Sequence, residues 1–284
     1  MILMSNNQWK CDKNCDAWLK IGEDCSAEVR VQGLVRAYRQ IMPDVLGLQE
    51  VSMHMADLMM AQLSCVDLGE GQTAKYAYVS GGDTPIVYRY DKLKLLESGF
   101  FLYSEQIDGF EGSFNNHETK SYAFGVFEER ATGRRFAVMS THLWWKSSRP
   151  GAENYQAHSA EARAYQIRLA LTRLEEVTAK YACPGVLVGD LNAAMGSLCL
   201  NTAEEMGWVD AYELATGRRS NTRGHHPCGP SGYSRAEAGT FEQAIDHILV
   251  KYAPADFVRR FERYTPDYYL SLSDHSPVFA DVTL

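Results

Sequence analysis

The chain has 284 residues, of which 45% are hydrophobic, so it is long and apolar enough to bury a sizeable core. It contains no run of 18 or more apolar residues, which argues against stable insertion into a membrane. Its net charge of −8 disfavours non-specific binding of nucleic acid, because such binding depends on Lys and Arg that neutralise phosphates.

Hydrophobic periodicity and turn residues predict alternating strands and helices along the chain. The first half is predicted to contain a strand at 2–7, a loop at 8–25, a helix at 27–41, a strand at 44–50, a helix at 53–64, and strands at 75–79, 85–90, 93–97 and 99–103. The second half is predicted to contain strands at 122–129 and 135–143, a helix at 154–180, a strand at 185–190, a helix at 199–206, a loop at 216–239, and strands at 244–251, 256–263 and 277–283.

Strands outnumber helices in this pattern, and the helices are interspersed among them. No short internal repeat or low-complexity linker divides the chain, so we expect a single domain over 1–284. The pattern predicts an α/β (α+β) fold in which two sheets pack face to face with helices outside.

Polar residues that can bind a metal or a phosphate follow five of the apolar runs. They are Asn7, Gln49-Glu50, His142, Asp190 with Asn192, and Asp274-His275. A sixth residue, Asp246, interrupts an apolar run, where a carboxylate is costly unless it is paired. Each residue alone has a structural explanation, such as an Asx turn, a helix cap or a buried histidine. Their shared placement at strand ends favours a common site.

Hydrolysis of a phosphodiester requires these residue types. A hard cation needs oxygen ligands, which Glu50 and Asp274 can supply. A carboxylate such as Asp190 can align or deprotonate water. Charge that develops on the phosphate oxygens needs hydrogen-bond donors, here His142, Asn192 and His275. Asp246 would hold the last of these histidines in one tautomer and favour its charged form.

The same stretches resemble the endonuclease/exonuclease/phosphatase superfamily, whose metal-dependent phosphoesterases include deoxyribonuclease I, abasic-site endonucleases, inositol-polyphosphate 5-phosphatases and sphingomyelinases. The matching stretches follow the family's order and span nearly the whole chain: Ser5-Asn6-Asn7, Leu48-Gln49-Glu50, Ser140-Thr141-His142-Leu143, Gly189-Asp190-Leu191-Asn192, Ile245-Asp246-His247-Ile248 and Ser273-Asp274-His275. The segments 85–89 and 95–105 are similar to a branch related to deadenylases and uncharacterised bacterial members.

The resemblance implies a four-layer sandwich of two mixed, mostly antiparallel sheets, with the site at one edge. It implies Mg²⁺ or Mn²⁺ held by Glu50, with Asn7 and Asp274 in or near the metal shell. It implies that Asp190 aligns the attacking water. The residues implied to contact the phosphate or support its transition state are His142, Asn192, and His275 paired with Asp246.

Three features depart from the family's usual pattern. An aromatic residue usually precedes the first Asn, whereas Asn6 stands here, and we assign the metal-facing role to Asn7. Trp144 and Trp145 follow the third motif and are predicted to stack on a base or sugar, or to cover a lipid-like group, with inward packing of one as the alternative. Lys120 stands where relatives often carry Arg, and we predict that it contacts the substrate phosphate.

The cysteines are the candidates for a second metal site. Cys11, Cys15 and Cys25 lie close together in sequence, and His225-His226-Pro227-Cys228 lies far from them. The spacing matches no recognised zinc finger, so scattered buried thiols are the preferred interpretation.

We therefore expect a divalent-metal-dependent hydrolase of phosphoesters, with a small phosphorylated metabolite or nucleotide as the favoured substrate. Phosphodiesterase and phosphatase activity both stay open at this point. A nuclease acting on DNA or RNA is the alternative enzyme, and a catalytically silent ligand-binding protein is the alternative of another class. We expect a monomer that is cytoplasmic, or exported with its signal removed.

Overall fold

A computed structural model of the protein describes residues 1–10, 22, 24–218, 244–254 and 256–283. Its strands are β1 (Ile2–Asn7), β2 (Val45–Gln49), β3 (Val66–Gly69), β4 (Gln72–Ala74), β5 (Tyr76–Val79), β6 (Ile86–Arg89), β7 (Leu93–Leu102), β8 (Ser121–Glu129), β9 (Arg135–His142), β10 (Gly185–Asp190), β11 (Val209–Asp210), β12 (Gly217–Arg218), β13 (Asp246–Lys251), β14 (Val258–Arg263) and β15 (Val278–Val282). Its helices are α1 (Ala27–Ile41), α2 (Met53–Leu63), α3 (Ser159–Tyr181), α4 (Leu198–Glu205), α5 (Ala211–Leu214) and a 3-10 helix at Asp267–Ser271.

Two large sheets form the centre of the fold. One has seven strands in the order β12-β14-β15-β1-β2-β6-β5, and the other has six in the order β11-β13-β10-β9-β8-β7. The pairs β1–β2, β9–β10 and β12–β14 are parallel, and the other pairings among the described strands are antiparallel. The strands β3 and β4 form a separate hairpin. The predicted fold of two mixed, mostly antiparallel sheets is confirmed.

The two sheets bury an apolar layer between them. It includes Leu3 and Val45 of the first sheet, and Val138 and Val188 of the second. The sheets approach closely at Gly47, where an added Cβ would lie 2.2 Å from Val188 Cγ2. Such a contact is far shorter than van der Waals packing permits, so this position requires glycine.

Helices cover the outer faces of both sheets, which completes four layers. α1 and α2 pack on the first sheet, with Val31, Leu34 and Met59 in the shared core. α3 and α4 pack on the second sheet, with Leu171 and Leu174 in its outer core. The predicted amphipathic pattern of α1 is confirmed, because its apolar stripe is the buried one.

The structure corrects several element predictions. The helix predicted at 154–180 begins only at Ser159, and the two strands predicted at 93–97 and 99–103 form one strand, β7, with an irregularity between Leu95 and Glu97. The hairpin of β3 and β4 was not predicted. Most of the loop predicted at 216–239 lies outside the described residues. None of the helices in the described part of the chain is long and apolar enough to cross a membrane.

Candidate active site

Strand pairing places the predicted polar strand ends at one edge of the sandwich. In the first sheet, Asn7 pairs with Gln49, so β1 and β2 end together. In the second sheet, Asp190 at the end of β10 pairs with His142 on one side and Asp246 on the other. The parallel strands β9 and β10 both end at this edge, and the antiparallel strand β13 begins there.

Asn7 connects the two sheets at this edge. Its Nδ2 donates to Glu50 Oε1 at 3.1 Å and to Asp190 Oδ2 at 3.0 Å. Asn6 instead lies behind the site, where its Oδ1 accepts hydrogen bonds from Tyr38 and Tyr269 at 2.7 and 2.8 Å. Of the two residues, Asn7 is the one whose side chain reaches the site carboxylates.

Glu50 follows β2 with a φ of 56°, in the left-handed region that a non-glycine residue rarely adopts. Strained backbone of this kind clusters at functional sites. Burial raises the pKa of Glu50, but the charges of His142, Lys120 and His275 outweigh that effect and lower the pKa to about 2. The carboxylate is therefore ionised at neutral pH.

His275 and Asp246 form a buried pair. His275 Nδ1 lies 2.8 Å from Asp246 Oδ2, and Nε2 lies 3.6 Å from Asp190 Oδ2. Burial lowers the pKa of His275, yet the carboxylates of Asp246 and Asp190 raise it well above its ordinary value. The imidazole is thus held as a cation whose Nε2–H points toward Asp190.

His142 lies among charged side chains of both signs. Its Nε2 lies 2.6 Å from Lys120 Nζ, 3.7 Å from Glu50 Oε1 and 3.6 Å from Asp190 Oδ2. Lys120 is 4% exposed, and burial lowers its pKa although Glu50, Asp190 and Asp83 raise it. The Nδ1 of His142 lies 3.2 Å from the same amine, so both ring nitrogens are within hydrogen-bond distance of Lys120.

Asn192 lies in the turn that follows β10. Its backbone N–H donates to Asp190 Oδ1 at 2.9 Å, and its Nδ2 donates to the carbonyl of Leu143 at 3.1 Å. Its φ of 48° is a second left-handed position at this edge. The two oxygens of Asp190 are consequently held by two different donors, the amide of Asn7 and the N–H of Asn192.

These side chains line a cleft of about 450 Å³. The lining residues are Lys10, Glu50, Asp83, Asn116, Thr119, Lys120, His142, Trp145, Asp190, Asn192, Asp274 and His275. The cleft therefore gathers most of the residues that the sequence pointed to. Asp246 and Asn7 do not line the cleft, but Asp246 bonds His275, and the amide of Asn7 donates to Glu50 and Asp190.

The two tryptophans differ in placement, which corrects one prediction. Trp145 is 41% exposed and lines the cleft. Trp144 is 1% exposed and packs edge-on against Phe114, with Ile107 and Ala162 in the same apolar cluster. Trp144 is thus a core residue and does not face a substrate, because the chain turns its side chain toward α3.

The donor set fits a divalent cation. The ligand atoms of Glu50, His142 and Asp190 lie within 4.8 Å of one another, and the same holds for Asp190, Asp246 and His275. Carboxylate oxygens are the ligands that Mg²⁺ and Mn²⁺ prefer. Asp274 lines the same cleft but is outside both groups.

Sequence reasoning missed four residues that line the cleft: Lys10, Asp83, Asn116 and Thr119. Asp83 is 4% exposed, and its carboxylate lies 2.7 Å from Lys10 Nζ and 3.9 Å from His142 Nδ1. It lies in the turn Gly81-Gly82-Asp83-Thr84, just before β6. The sequence feature that could have indicated Asp83 is its place as a polar residue in a turn at the same sheet edge.

Comparison with known structures shows similar folds over the whole chain. A mannosyl-6-phosphatase from Bacteroides thetaiotaomicron is 20% identical, with a TM-score of 0.72 and 100% of both chains covered. An endonuclease/exonuclease/phosphatase family protein from the same organism is 21% identical, with a TM-score of 0.70, 99% of this chain and 96% of that chain covered. D. rerio TDP2, complexed with single strand DNA product, is 17% identical, with a TM-score of 0.64, 100% of this chain and 99% of that chain covered.

Sequence comparison identifies the family directly. No protein of curated function matches the sequence significantly. The family model described as the Endonuclease/Exonuclease/phosphatase family matches residues 25–275. That match covers most of the chain and includes five of the six strand-end motifs. The chain therefore belongs to the endonuclease/exonuclease/phosphatase family.

Proposed function

We propose that the protein is a divalent-metal-dependent phosphoesterase that acts on a small phosphorylated metabolite or nucleotide. One observation carries the proposal: Glu50, Asp190, His142 and His275 meet in one cleft at the edge of two sheets. These residues come from sequence positions 50 to 275, so no local structural requirement brings them together. Membership of a family of phosphoesterases supports the same reaction class.

Glu50 is the proposed metal ligand, with Asn7 and Asp274 in or near the shell. Its low pKa keeps it ionised, and Asn7 fixes one of its oxygens at 3.1 Å. A bound Mg²⁺ or Mn²⁺ would supply positive charge to a non-bridging phosphate oxygen. The donors of this chain hold the carboxylate in place for that role.

Asp190 is the proposed residue that aligns the attacking water. Hydrogen bonds from Asn7 and Asn192 hold its two oxygens at 3.0 and 2.9 Å. Because one donor ends β1 and the other lies in the turn after β10, the carboxylate is held from two directions in one orientation. A water on this carboxylate would lose its proton to Asp190 as it attacks phosphorus. The bond from phosphorus to the ester oxygen of the alcohol would break in the same displacement, and that oxygen would take up a proton from solvent.

His275 is the proposed donor to the phosphate as negative charge develops. Its Nδ1 is bonded to Asp246, and its Nε2 is the ring nitrogen that lies near Asp190 in the cleft. His142, Lys120 and Asn192 line the same cleft and would contribute further donors. Hydrogen bonds aimed at developing charge stabilise the transition state more than the ground state.

The lining of the cleft supports a small substrate with few phosphates. Glu50, Asp83, Asp190 and Asp274 supply four carboxylates, whereas Lys10 and Lys120 supply two amines. A polyanionic backbone would meet repulsion from the acidic groups beyond the metal. Trp145 offers a half-exposed indole on which a sugar or base could stack.

A substrate panel tests the proposal. The purified protein is incubated with Mg²⁺ and sugar phosphates, nucleoside monophosphates, dinucleotides, RNA or phospholipids. We expect turnover of small phosphate esters above that of RNA and phospholipids. Tight binding without turnover of any panel member, with both Mg²⁺ and Mn²⁺, would instead identify a silent ligand-binding protein.

A further inference from the structure

Two buried arginines, one from each helical layer, bind the backbone of the loops that carry the site. Arg30 of α1 is 1% exposed and Arg163 of α3 is 8% exposed. Neither lines the cleft. Both guanidinium groups donate to main-chain carbonyls of segments outside their own helices, so they can fix the position of those segments.

Arg30 joins the two loops on the side of the first sheet. Its Nε donates to the carbonyl of Leu272 at 2.7 Å, across 242 positions of sequence. Its Nη2 donates to the carbonyl of Trp9 at 2.9 Å and also to that of Gln8. One side chain therefore connects the segment after β1 to the segment before β15.

Both of those segments orient residues of the site. The N–H of Trp9 donates to Asn7 Oδ1 at 2.9 Å, which directs the Asn7 amide NH₂ toward the two carboxylates. Ser273 Oγ donates to the carbonyl of Asn7 at 2.8 Å and accepts from the N–H of His275 at 3.0 Å. Arg30 therefore binds Trp9, whose N–H bonds Asn7, and Leu272, which precedes the Ser273 that bonds His275.

Arg163 acts on the loop of the second sheet. Its Nη1 donates to the carbonyls of Trp144 and Lys146 at 3.1 and 2.7 Å. Gln166, one turn further along α3, accepts from the N–H of Trp144 at 2.8 Å. The backbone on both sides of Trp145 is therefore fixed, which presents its indole to the cleft.

The choice of arginine has a physical reason. A guanidinium has five donors in a planar fork and can serve carbonyls in different directions, whereas an ammonium is a compact point charge. A lysine at either position keeps the charge but loses the fixed geometry. Arg→Lys substitution therefore separates positioning from charge.

We propose that Arg30 and Arg163 are positioning residues with different tasks. Arg30 holds the groups that act on the phosphate, and Arg163 holds the indole that contacts the rest of the substrate. The kinetic part of this inference rests on the proposed phosphoesterase function.

Arg30→Lys should lower kcat about ten- to hundredfold with KM changed less than about threefold, since misplacement acts on the reacting groups. Arg163→Lys should raise KM about fivefold or more with kcat nearly unchanged.

Hydrogen exchange followed by mass spectrometry supplies a readout that needs no activity. Arg30→Lys should speed exchange in segments 7–10 and 272–275 and leave 144–147 unchanged, and Arg163→Lys should do the reverse. Arg173→Lys on the exposed face of α3 is the matched control and should change neither exchange nor kinetics. If Arg30→Lys does not fold, Ser273→Ala removes only the hydroxyl bridge and should still lower kcat.

The outcomes distinguish this inference from the proposed function. A wild-type protein without turnover would refute the phosphoesterase, while the exchange pattern would still decide the roles of the arginines. Exchange that rises across the whole chain in either variant would overturn the inference. So would two variants that change kcat and KM in the same proportion.

Discussion

His275 and Asp246 share a hydrogen bond of 2.8 Å between Nδ1 and Oδ2, although 29 positions separate them in sequence. Asp246 is the first residue of β13, and His275 lies in the loop that leads into β15. The bond fixes the imidazole so that Nε2 lies 3.6 Å from Asp190 Oδ2. The pair thus places a positive donor beside the carboxylate proposed to align water.

Replacing Asp246 by Asn should remove the strongest of the carboxylate charges that raise the pKa of His275. We expect kcat to fall about a hundredfold, because a positioned acid or donor contributes about that much. KM should change little, since Asp246 does not line the cleft. Steady-state kinetics with a reactive phosphate ester measure the effect, and Asp67→Asn in the exposed β3–β4 hairpin is the control. An unchanged kcat would contradict the roles proposed for His275 as a donor to the phosphate and for Asp246 as its partner.

Asp190→Asn should remove turnover while the fold persists. An Asn side chain keeps one oxygen, and so one of the two hydrogen bonds to Asp190, but it cannot take a proton from water. We expect kcat to fall by at least about a thousandfold and the melting temperature to shift by only a few degrees. Single-turnover kinetics and thermal unfolding check both parts. A variant with near wild-type kcat would contradict the role assigned to Asp190.

The two adjacent tryptophans should respond in opposite ways to truncation. Trp144→Ala should cost about 3–5 kcal/mol of unfolding free energy, because Trp144 is a buried core residue. Trp145→Ala should cost less than about 1 kcal/mol and raise KM several-fold, because its indole is exposed in the cleft. Urea unfolding and steady-state kinetics of the two variants form a matched pair. Equal loss of stability would contradict the placement of the two indoles.

His247 should make the stability of the protein depend on pH. Its Nδ1 lies 2.8 Å from Asp210 Oδ2, and its Nε2 lies 2.9 Å from the carbonyl of Ala193. Both nitrogens face acceptors, so the ring is doubly protonated. Burial lowers the pKa of His247, but the hydrogen bond and charge of Asp210 raise it above its ordinary value.

The sign of the effect follows from that raised pKa. The stabilisation is complete below the unfolded pKa of about 6.5 and is lost as pH rises through the folded pKa. The difference in unfolding free energy between wild type and His247→Gln should therefore be largest at acidic to neutral pH and shrink at alkaline pH. Urea unfolding of both proteins across this pH range measures it. A difference that does not vary with pH would show that the ring is neutral.

The strand ends of the site could be predicted from sequence, because each is marked by a pattern of residues that are adjacent in the chain. Glu50, His142 and Asp190 each follow an apolar run that is long enough for a buried strand, and pairing then decides only which edge they share. The site edge follows from the parallel pairs β1–β2 and β9–β10. Motif order along the chain supported the same grouping.

Other features depend on contacts that the sequence does not display. Asp83 belongs to a turn without periodicity, and its place beside His142 arises only when the two sheets pack. Trp144 and Trp145 are chemically identical neighbours, and the direction of the chain after β9 alone decides which one is buried. The β3–β4 hairpin lacks the strong alternation that marks longer strands.

The metal dependence of turnover tests the proposed role of Glu50 most directly. Protein stripped with EDTA is assayed on a phosphate ester while Mg²⁺ is titrated back, for wild type and for Glu50→Gln. We expect that stripping abolishes turnover, that Mg²⁺ restores it, and that Glu50→Gln needs at least about tenfold more Mg²⁺. Turnover that survives EDTA undiminished, or a Glu50→Gln variant with an unchanged Mg²⁺ requirement, would contradict a metal centre built on this strand end.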